Sequence, residues 1–226
     1  MAKSGLFIAI EGGDGSGKGT QAKLLEERLR AEKKEVFRIS FPQYGQPSAK
    51  IVEMYLNGEF GKAGEASPEL VSLAYAIDRF AAAQTLRDKL EAGTIIIADR
   101  YVASNLAHQA ASIATAEKRK DFYELIKKAE YETLGIPIPD INIVLLVPTA
   151  LAQANVDKKD ARTYTNKKRD ILEADSTHLD HAKRNYMELC ELYPEDFMAV
   201  DCMDGSQLRP IPQIHEQVYS LARVQH

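Results

Sequence analysis

A glycine-rich stretch near the amino terminus, IEGGDGSGKGTQ, occupies residues 10–21 and encloses a single lysine, Lys18. Its spacing fits G-x-x-x-x-G-K, a pattern in which bare backbone lets several N–H groups point inward at one anion. A helix that begins at the lysine aims the positive end of its dipole at the same point. The stretch therefore predicts a phosphate-binding loop. The residues predicted to contact phosphate are Gly12, Gly13, Asp14, Gly15, Ser16, Gly17, Lys18, Gly19 and Thr20.

One position departs from this pattern, which asks for serine or threonine after the lysine. This chain has Gly19 there, followed by Thr20. We therefore expect Mg²⁺ to be held mostly through water and nucleotide phosphates, which suits an ion that loses its water reluctantly. The alternative is a glycine-rich turn with an accidental lysine; the strand-like residues before the loop and the helix-like residues after it favour phosphate binding.

A second polar pair follows the apolar run in IIIADRYVASN, residues 95–105. The end of this predicted strand carries Asp99 and Arg100 to the edge where open parallel sheets hold their ligands. An acid there can orient Mg²⁺ or its waters, and an arginine can fork onto a second phosphate. The alternative makes Asp99 a helix cap and Arg100 its surface partner.

A third pair lies in LAYAIDRFAAA, residues 73–83, within a long predicted helix. Tyr75 and Arg79 are four residues apart and therefore share one helix face. An aromatic ring and a fork of donors on one face can sandwich and hydrogen-bond a flat base. The alternatives are a core tyrosine and a solvated ion pair.

These residues need elements to position them, and the hydrophobic pattern supplies strands that alternate with helices. Such alternation predicts a parallel sheet covered by helices on both faces. The predicted strands are 6–10, 35–40, 94–98, 141–147 and 197–200, and the predicted helices are 18–33, 47–57, 67–92, 103–133, 170–193 and 207–224.

Composition limits the classes of protein that this chain can represent. Its 226 residues are 45% hydrophobic and 27% charged, and no apolar run reaches the length of a membrane span. The formal net charge of −4 argues against a nucleic-acid-coating protein, and we expect no nucleic-acid or membrane partner. Cys190 and Cys202 lack metal-ligand spacing and indicate reduced packing residues. Without a secretion signal at the start, a cytoplasmic location is expected.

The motifs together resemble those of the thymidylate kinases, nucleoside monophosphate kinases that make dTDP from dTMP and ATP. The resemblance covers nearly the whole chain. It is carried by EGGDGSGKGTQ, FPQYG (41–45), YAIDR (75–79), DRYVASNLAHQ (99–109) and the tail from RDILE to VDC (169–202). It implies a three-layer α/β/α P-loop kinase fold with a five-stranded parallel sheet, helices on both faces and a lid. One domain would span 1–226, and relatives imply a homodimer packed through long helices.

The resemblance also implies roles for particular residues. Lys18 and the loop amides would hold the phosphates of ATP, and Asp99 would lie by Mg²⁺. Asp14 would meet the sugar 3′-hydroxyl and the metal region. Arg100 and the Tyr44 hydroxyl would hold the phosphate of dTMP.

Other residues are assigned to the rest of the dTMP pocket. Phe41 and Tyr75 would flank thymine, with Tyr75 where relatives usually have Phe. Arg79 would donate to the base, and Asn105 would read its Watson–Crick edge. The remaining pocket residues are Ser104, His108 and Gln109.

Two further positions depart from the family pattern. Many relatives carry a basic residue inside the phosphate loop where this chain has Gly15, and the branch that lacks it supplies an arginine from the lid. His108 replaces a tyrosine thought to crowd out a ribose 2′-hydroxyl, so the exclusion of ribonucleotides is less secure.

The charged stretch DKKDARTYTNKKR, residues 157–169, is predicted to be that lid. Phosphoryl transfer needs cations around the moving group, and a closing segment would bring them in while expelling water. Arg162 is our choice for the cation. The alternatives are an ordinary solvated loop or another of the lid cations, Lys158, Lys159, Lys167, Lys168 and Arg169.

The predicted reaction is a direct attack by a dTMP phosphate oxygen on the γ-phosphorus of ATP, with Lys18, Arg100, Arg162 and Asp14 as catalytic residues. One alternative is a kinase for another pyrimidine nucleotide, such as dUMP, or for a broader set. A less favoured one is a nucleotide-dependent switch; its N-K-x-D motif is absent, since 166–170 is one residue too long. The loop 201–206 is predicted to contact adenine.

Overall fold

The computed structural model describes residues 5–61, 64–156, 172 and 175–224. A five-stranded sheet forms the centre of this part of the chain. Its strands are β1 (Phe7–Gly12), β2 (Val36–Ser40), β3 (Ile95–Asp99), β4 (Ile141–Leu146) and β5 (Phe197–Asp201). They lie in the order β2-β3-β1-β4-β5, and every adjacent pair is parallel.

Burial explains why these segments form the middle of the sheet. All six residues of β1 are buried, as are the first four of β3 and the first five of β4. Strands buried on both faces are expected to be continuous apolar runs, which is how they appear in the sequence. The chain visits β2 and β3 on one side of β1 and then crosses to β4 on the other. This reversal leaves a crevice at the carboxyl ends of the strands.

Helices cover both faces, which confirms the predicted three-layer fold. The helices are α1 (Lys18–Ala31), α2 (Lys50–Leu56), α3 (Pro68–Glu91), α4 (Val102–Gln109), α5 (Ala116–Lys127), α6 (Thr149–Val156), α7 (Ser176–Leu192) and α8 (Ile211–Val224). Residues of β1 alternate between the two cores, with Phe7 and Ala9 in one and Ile8 and Ile10 in the other. The first core includes side chains of α3, α4, α5 and α7, and the second includes those of α1 and α8.

The prediction of one helix over 103–133 was wrong. Helix α4 ends at Gln109, a 3₁₀ turn follows, and the backbone at Ile113 is extended. Thr115 then caps α5, its hydroxyl accepting from the Lys118 amide at 3.4 Å. Threonine favours such a cap over a helix interior because its short side chain can satisfy a free backbone N–H. Helix α5 continues into a π-helix, Lys128–Thr133.

Smaller differences occur elsewhere along the chain. Helices α7 and α8 begin later than predicted, and α6 was not predicted at all. A short antiparallel hairpin, Met203–Asp204 with Gln207–Leu208, overlaps the loop predicted to contact adenine. The predicted lid with Arg162 lies outside the described residues. Within the described ranges, none of the helices combines the length and apolar character needed to span a membrane.

Candidate active site

The glycine-rich loop connects the buried end of β1 directly to α1. Gly15 has φ +81°, and a Cβ added there would lie 1.9 Å from the carbonyl oxygen of Ala152 in α6. A side chain at this position therefore meets both a strained backbone and a fixed carbonyl. Glycine is therefore the residue that fits this position of the loop.

Lys18 lies folded back over the loop that precedes it. Its side chain is buried, and its ammonium donates to the carbonyl oxygen of Gly13 at 2.8 Å. Burial and the Arg100 guanidinium lower the pKa of Lys18 to about 8, although the carboxylates of Asp14 and Asp99 oppose this shift. The ammonium is thus held inside the loop in a cluster of charges.

Arg100 joins this cluster from the end of β3. Its backbone is left-handed, with φ +69°. Its guanidinium donates to the Asp14 carboxylate and, at 3.0 Å, to the Ser104 hydroxyl. Burial opposes ionisation of Asp14, but Arg100 and Lys18 together hold the pKa of this carboxyl well below its ordinary value. Asp14 therefore stays ionised and links the phosphate loop to Asp99 and Arg100, which together form the Asp-Arg step.

Glu11, for which no role was predicted from the sequence, stabilises the Asp-Arg step through hydrogen bonds to the residues that follow it. Its fully buried carboxylate accepts from the Tyr101 amide at 2.6 Å, the Ser104 hydroxyl at 2.6 Å and the Tyr186 hydroxyl at 3.1 Å. The bond to the amide after Arg100 fastens the turn that gives Arg100 its left-handed backbone. Burial raises the pKa of Glu11, against these hydrogen bonds and nearby Arg100. The sequence feature that could have identified Glu11 is an acidic residue at the end of a buried strand.

Asp99, the residue predicted to lie by Mg²⁺, faces the start of α1. Its carboxylate oxygen is 3.0 Å from the position of a Cβ at Gly19. The missing motif hydroxyl would therefore have stood beside this same carboxylate. No cluster of three or more metal-ligating side chains occurs among the residues that the structure describes. One carboxylate completed by water and phosphate oxygens suits Mg²⁺, so the donor set fits this ion.

His108 closes another side of the cluster. Its Nε2 is 3.3 Å from a guanidinium nitrogen of Arg100, and its Nδ1 is 3.4 Å from Nε2 of His178 in α7. Because arginine only donates, Nε2 of His108 must accept and Nδ1 carries the proton. Burial and the Arg100 charge lower the pKa of His108, which favours this neutral form. His178 was also missed by the sequence reasoning, since it is distant in the chain.

Arg79 and Asn105 lie deeper in the core and both hydrogen-bond to Glu130, a residue for which no role was predicted. The Arg79 guanidinium donates twice to the carboxylate of Glu130, both times at 2.6 Å. The Asn105 amide donates to the same carboxylate at 2.9 Å. Neither Arg79 nor Asn105 is a solvated surface residue, because both are 2% exposed.

The remaining predicted residues lie around these two groups. Phe41 is buried against Tyr101, with ring centroids 5.5 Å apart. Tyr44 and Tyr75 pack half-buried against a small apolar cluster that includes Val52. The other predicted positions are Gln109, buried at the end of α4, and Thr20, exposed in α1.

Asp78, in α3, orders the segment that contains Phe41 and Tyr44. Its carboxylate accepts from the backbone amide of Gln43 at 2.8 Å and from the Ser48 hydroxyl at 2.6 Å. Asp78 belongs to the YAIDR motif, but no role was predicted for it. The sequence feature that could have identified Asp78 is its position next to Arg79 in that motif.

A phosphate loop after the first strand of a parallel sheet, with helices on both faces, defines the chain as a P-loop α/β protein. The family model described as thymidylate kinase matches residues 10–209. The chain belongs to the thymidylate kinase family.

Individual relatives agree with this assignment. A thymidylate kinase of Mycobacterium tuberculosis (strain ATCC 25618 / H37Rv) is 36% identical over 148 residues, which is 65% of this chain and 68% of the relative. One of Leifsonia xyli subsp. xyli is 31% identical over 217 residues, covering 96% and 93%. The solved thymidylate kinase of Candida albicans has a TM-score of 0.73 at 22% identity, over 98% of this chain and 92% of that one. The last comparison supports the fold.

Proposed function

We propose that this protein transfers the γ-phosphoryl group of ATP to dTMP, giving dTDP and ADP. Family membership supports the reaction, and one structural observation supports the arrangement of its two substrates. The Arg100 guanidinium and the phosphate loop meet at Asp14, so two anion-binding groups face each other across one carboxylate. A phosphoryl donor and a phosphate acceptor need such an arrangement.

The donor side is the loop and the helix that follows it. The amides of Gly12–Thr20 and the Lys18 ammonium bind the phosphates of ATP. The ammonium is already held inside the loop, because Lys18 is buried and donates to the Gly13 carbonyl. Asp99, whose carboxylate lies beside Gly19, would hold Mg²⁺. When bound, Mg²⁺ offsets the negative charge of the phosphate oxygens.

The acceptor side begins at the Asp-Arg step. Arg100 and the Tyr44 hydroxyl bind the phosphate of dTMP, and Asp14 meets its sugar. Phe41 and Tyr75 flank the base, and Arg79 and Asn105 hydrogen-bond to its edge. Ser104 holds Arg100 in place through their 3.0 Å bond, and His108 contacts the same guanidinium. His108 and Gln109 complete the pocket.

The transfer itself needs orientation more than acid-base chemistry. A phosphate dianion is already nucleophilic, so an oxygen of dTMP attacks the γ-phosphorus in line, with no covalent enzyme intermediate and no general base. Lys18 and Arg100 stabilise the charge that spreads over the transferred group. A lid at 157–169, with Arg162 as its cation, would complete this set; it lies outside the described residues.

The substrate is tested by a coupled assay of ADP formation with dTMP, dUMP, UMP, CMP and dCMP. We expect dTMP to have the highest kcat/KM. The thymine methyl contributes only about 1–3 kcal/mol in an apolar pocket, so the margin over dUMP is about 10- to 200-fold. A higher kcat/KM for dUMP or a ribonucleotide would contradict the dTMP assignment and support a broader pyrimidine kinase. ATP hydrolysis that is indifferent to all five nucleotides would instead support a nucleotide-dependent switch.

We also propose that the protein is a homodimer packed through α3. Four large apolar side chains of α3 are 40–67% exposed and recur at helical spacing along its surface: Leu70, Leu73, Ile77 and Phe80. A contiguous apolar stripe on a long helix favours an isologous contact, in which the same stripe of a second copy covers it.

Phe80→Glu is expected to dissociate this dimer, because it places a charge within an apolar contact. Size-exclusion chromatography with light scattering should give twice the 25.1 kDa chain mass for the wild type and the single-chain mass for the variant. Leu125→Glu is the control, since Leu125 is 52% exposed on α5. A wild-type monomer, or a Phe80→Glu dimer, would contradict the proposed interface.

The proposed location is the cytoplasm, and one domain is proposed to span 1–226. Cys190 and Cys202 are both unpaired, as expected for a reducing compartment. Burial raises the pKa of each thiol to about 11, so both remain protonated and unreactive at neutral pH.

A further inference from the structure

A buried carboxylate outside the predicted motifs connects the two residues assigned to the base. Glu130 lies in the π-helix after α5 and is 1% exposed. It accepts from Nε and Nη2 of Arg79, and its Oε1 also accepts from Nδ2 of Asn105. One side chain therefore sets the position of both.

The first consequence is the orientation of the Asn105 amide. Its Nδ2 donates to Glu130 at 2.9 Å and to the Ser72 carbonyl at 3.1 Å. A carboxylate and a carbonyl only accept, so the nitrogen must face them and the amide cannot be reversed. The amide oxygen is left as the free end of the group, and it is buried without a partner among the described residues. Asn105 therefore offers an acceptor.

The second consequence concerns the donors of Arg79. Glu130 engages Nε and Nη2. The third nitrogen, Nη1, makes a long 3.5 Å contact to the Tyr101 carbonyl. Since a guanidinium carries five N–H groups and no acceptor, Nη1 retains donor capacity. Arg79 therefore offers a donor, and Glu130 holds it in place.

A donor beside an acceptor matches one class of pyrimidine edge. Thymine and uracil present the O4 acceptor next to the N3–H donor. Cytosine presents the reverse, an N4 amino donor next to the N3 acceptor. A buried site with fixed polarity rejects the reversed edge, because both pairs would face like groups.

We propose that Glu130 is a positioning residue that selects 4-keto pyrimidine nucleotides over 4-amino ones by fixing the polarity of Arg79 and Asn105. This inference rests on the proposed function, which places the base at these two residues. Glu130 acts through these two residues, to which its carboxylate is hydrogen-bonded.

Glu130→Gln is the test, because glutamine has almost the same shape but carries a donor. The glutamine amide places a donor where Glu130 Oε1 accepts from Asn105 and Arg79, so only the Ser72 carbonyl still fixes the Asn105 nitrogen and the reversed amide becomes more accessible. The ratio of kcat/KM for dTMP to that for dCMP should fall by about tenfold or more. The ratio for dTMP to dUMP should stay within about twofold, since both bases have the same edge.

Glu188→Gln is the matched control. Glu188 accepts from Nε and Nη2 of Arg119 at 2.7 and 2.9 Å and from the Tyr123 hydroxyl at 3.0 Å. It thus forms the same type of three-donor ion pair, between α7 and α5, without touching the residues assigned to the base. Its dTMP to dCMP ratio should remain at the wild-type value.

The outcomes separate this inference from the proposed function. A wild type that phosphorylates dCMP as well as dTMP would overturn the base assignment itself. A selective wild type with an unchanged ratio in Glu130→Gln would overturn only the role of Glu130. If that variant does not fold, as monitored by thermal unfolding, Glu130→Asp is scored by the same ratio. Failure of both to fold beside a folded Glu188→Gln would make Glu130 a structural residue and overturn the proposal.

Discussion

Lys18→Ala is expected to lower kcat by about 10²–10³ or more, the scale for losing one preorganised charge donor. The ammonium is buried and held 2.8 Å from the Gly13 carbonyl, so it is already in place before charge develops on the transferred group. Asp14 and Asp99 lie close enough to act on its pKa, and its loss leaves them with one cation fewer. Steady-state kinetics with saturating dTMP and varied ATP measure the effect.

Lys23→Ala is the control for this prediction. Lys23 lies in the same helix, and its contact with Glu27 at 3.8 Å joins two side chains that are both more than half exposed. Such surface pairs contribute little, so its kcat should stay within about twofold of wild type. Near-normal turnover in Lys18→Ala would reject the role of Lys18, and equal losses in both variants would indicate a general effect on the helix.

The second large effect is expected for Arg100→Lys, with kcat/KM for dTMP lower by about 10²–10³, the scale for losing one preorganised donor. Arg100 binds Asp14 and Ser104 at the same time through separate nitrogens. Lysine keeps the charge but lacks the planar fork, so it cannot hold these partners and grip a phosphate in two places. Because this group serves the acceptor, KM for ATP should change by less than about threefold.

Arg87→Lys is the matched control on α3, where Arg87 donates to the Gly135 carbonyl at 2.8 Å and to Gln84. It is a half-buried arginine outside the crevice, and its replacement should leave kcat/KM for dTMP near the wild-type value. An Arg100→Lys enzyme with an altered KM for ATP and an unaltered KM for dTMP would assign Arg100 to the donor side instead.

The local pattern of apolar residues was sufficient to predict much of the fold. The apolar runs placed all five strands of the sheet to within two residues at either end, because strands buried on both faces must be continuously apolar. The phosphate loop could also be located from the sequence, because its backbone conformation requires glycine at particular positions and this spacing is visible in the residue types. The break at Ile113 was missed, because helical periodicity continues on both sides of a short capped turn.

The sequence by itself therefore determined the family, the phosphate loop and the Asp-Arg step after β3. Tertiary structure alone decided which polar groups meet: Glu11 reaches Tyr101 across 90 residues, and Glu130 reaches Arg79 across 51. Such buried partners leave no periodic signal, because nothing near them in the chain indicates what they will face. Their pairing follows from the parallel crossovers, which bring distant segments to one end of the sheet, and from the high cost of burying a charge without a partner.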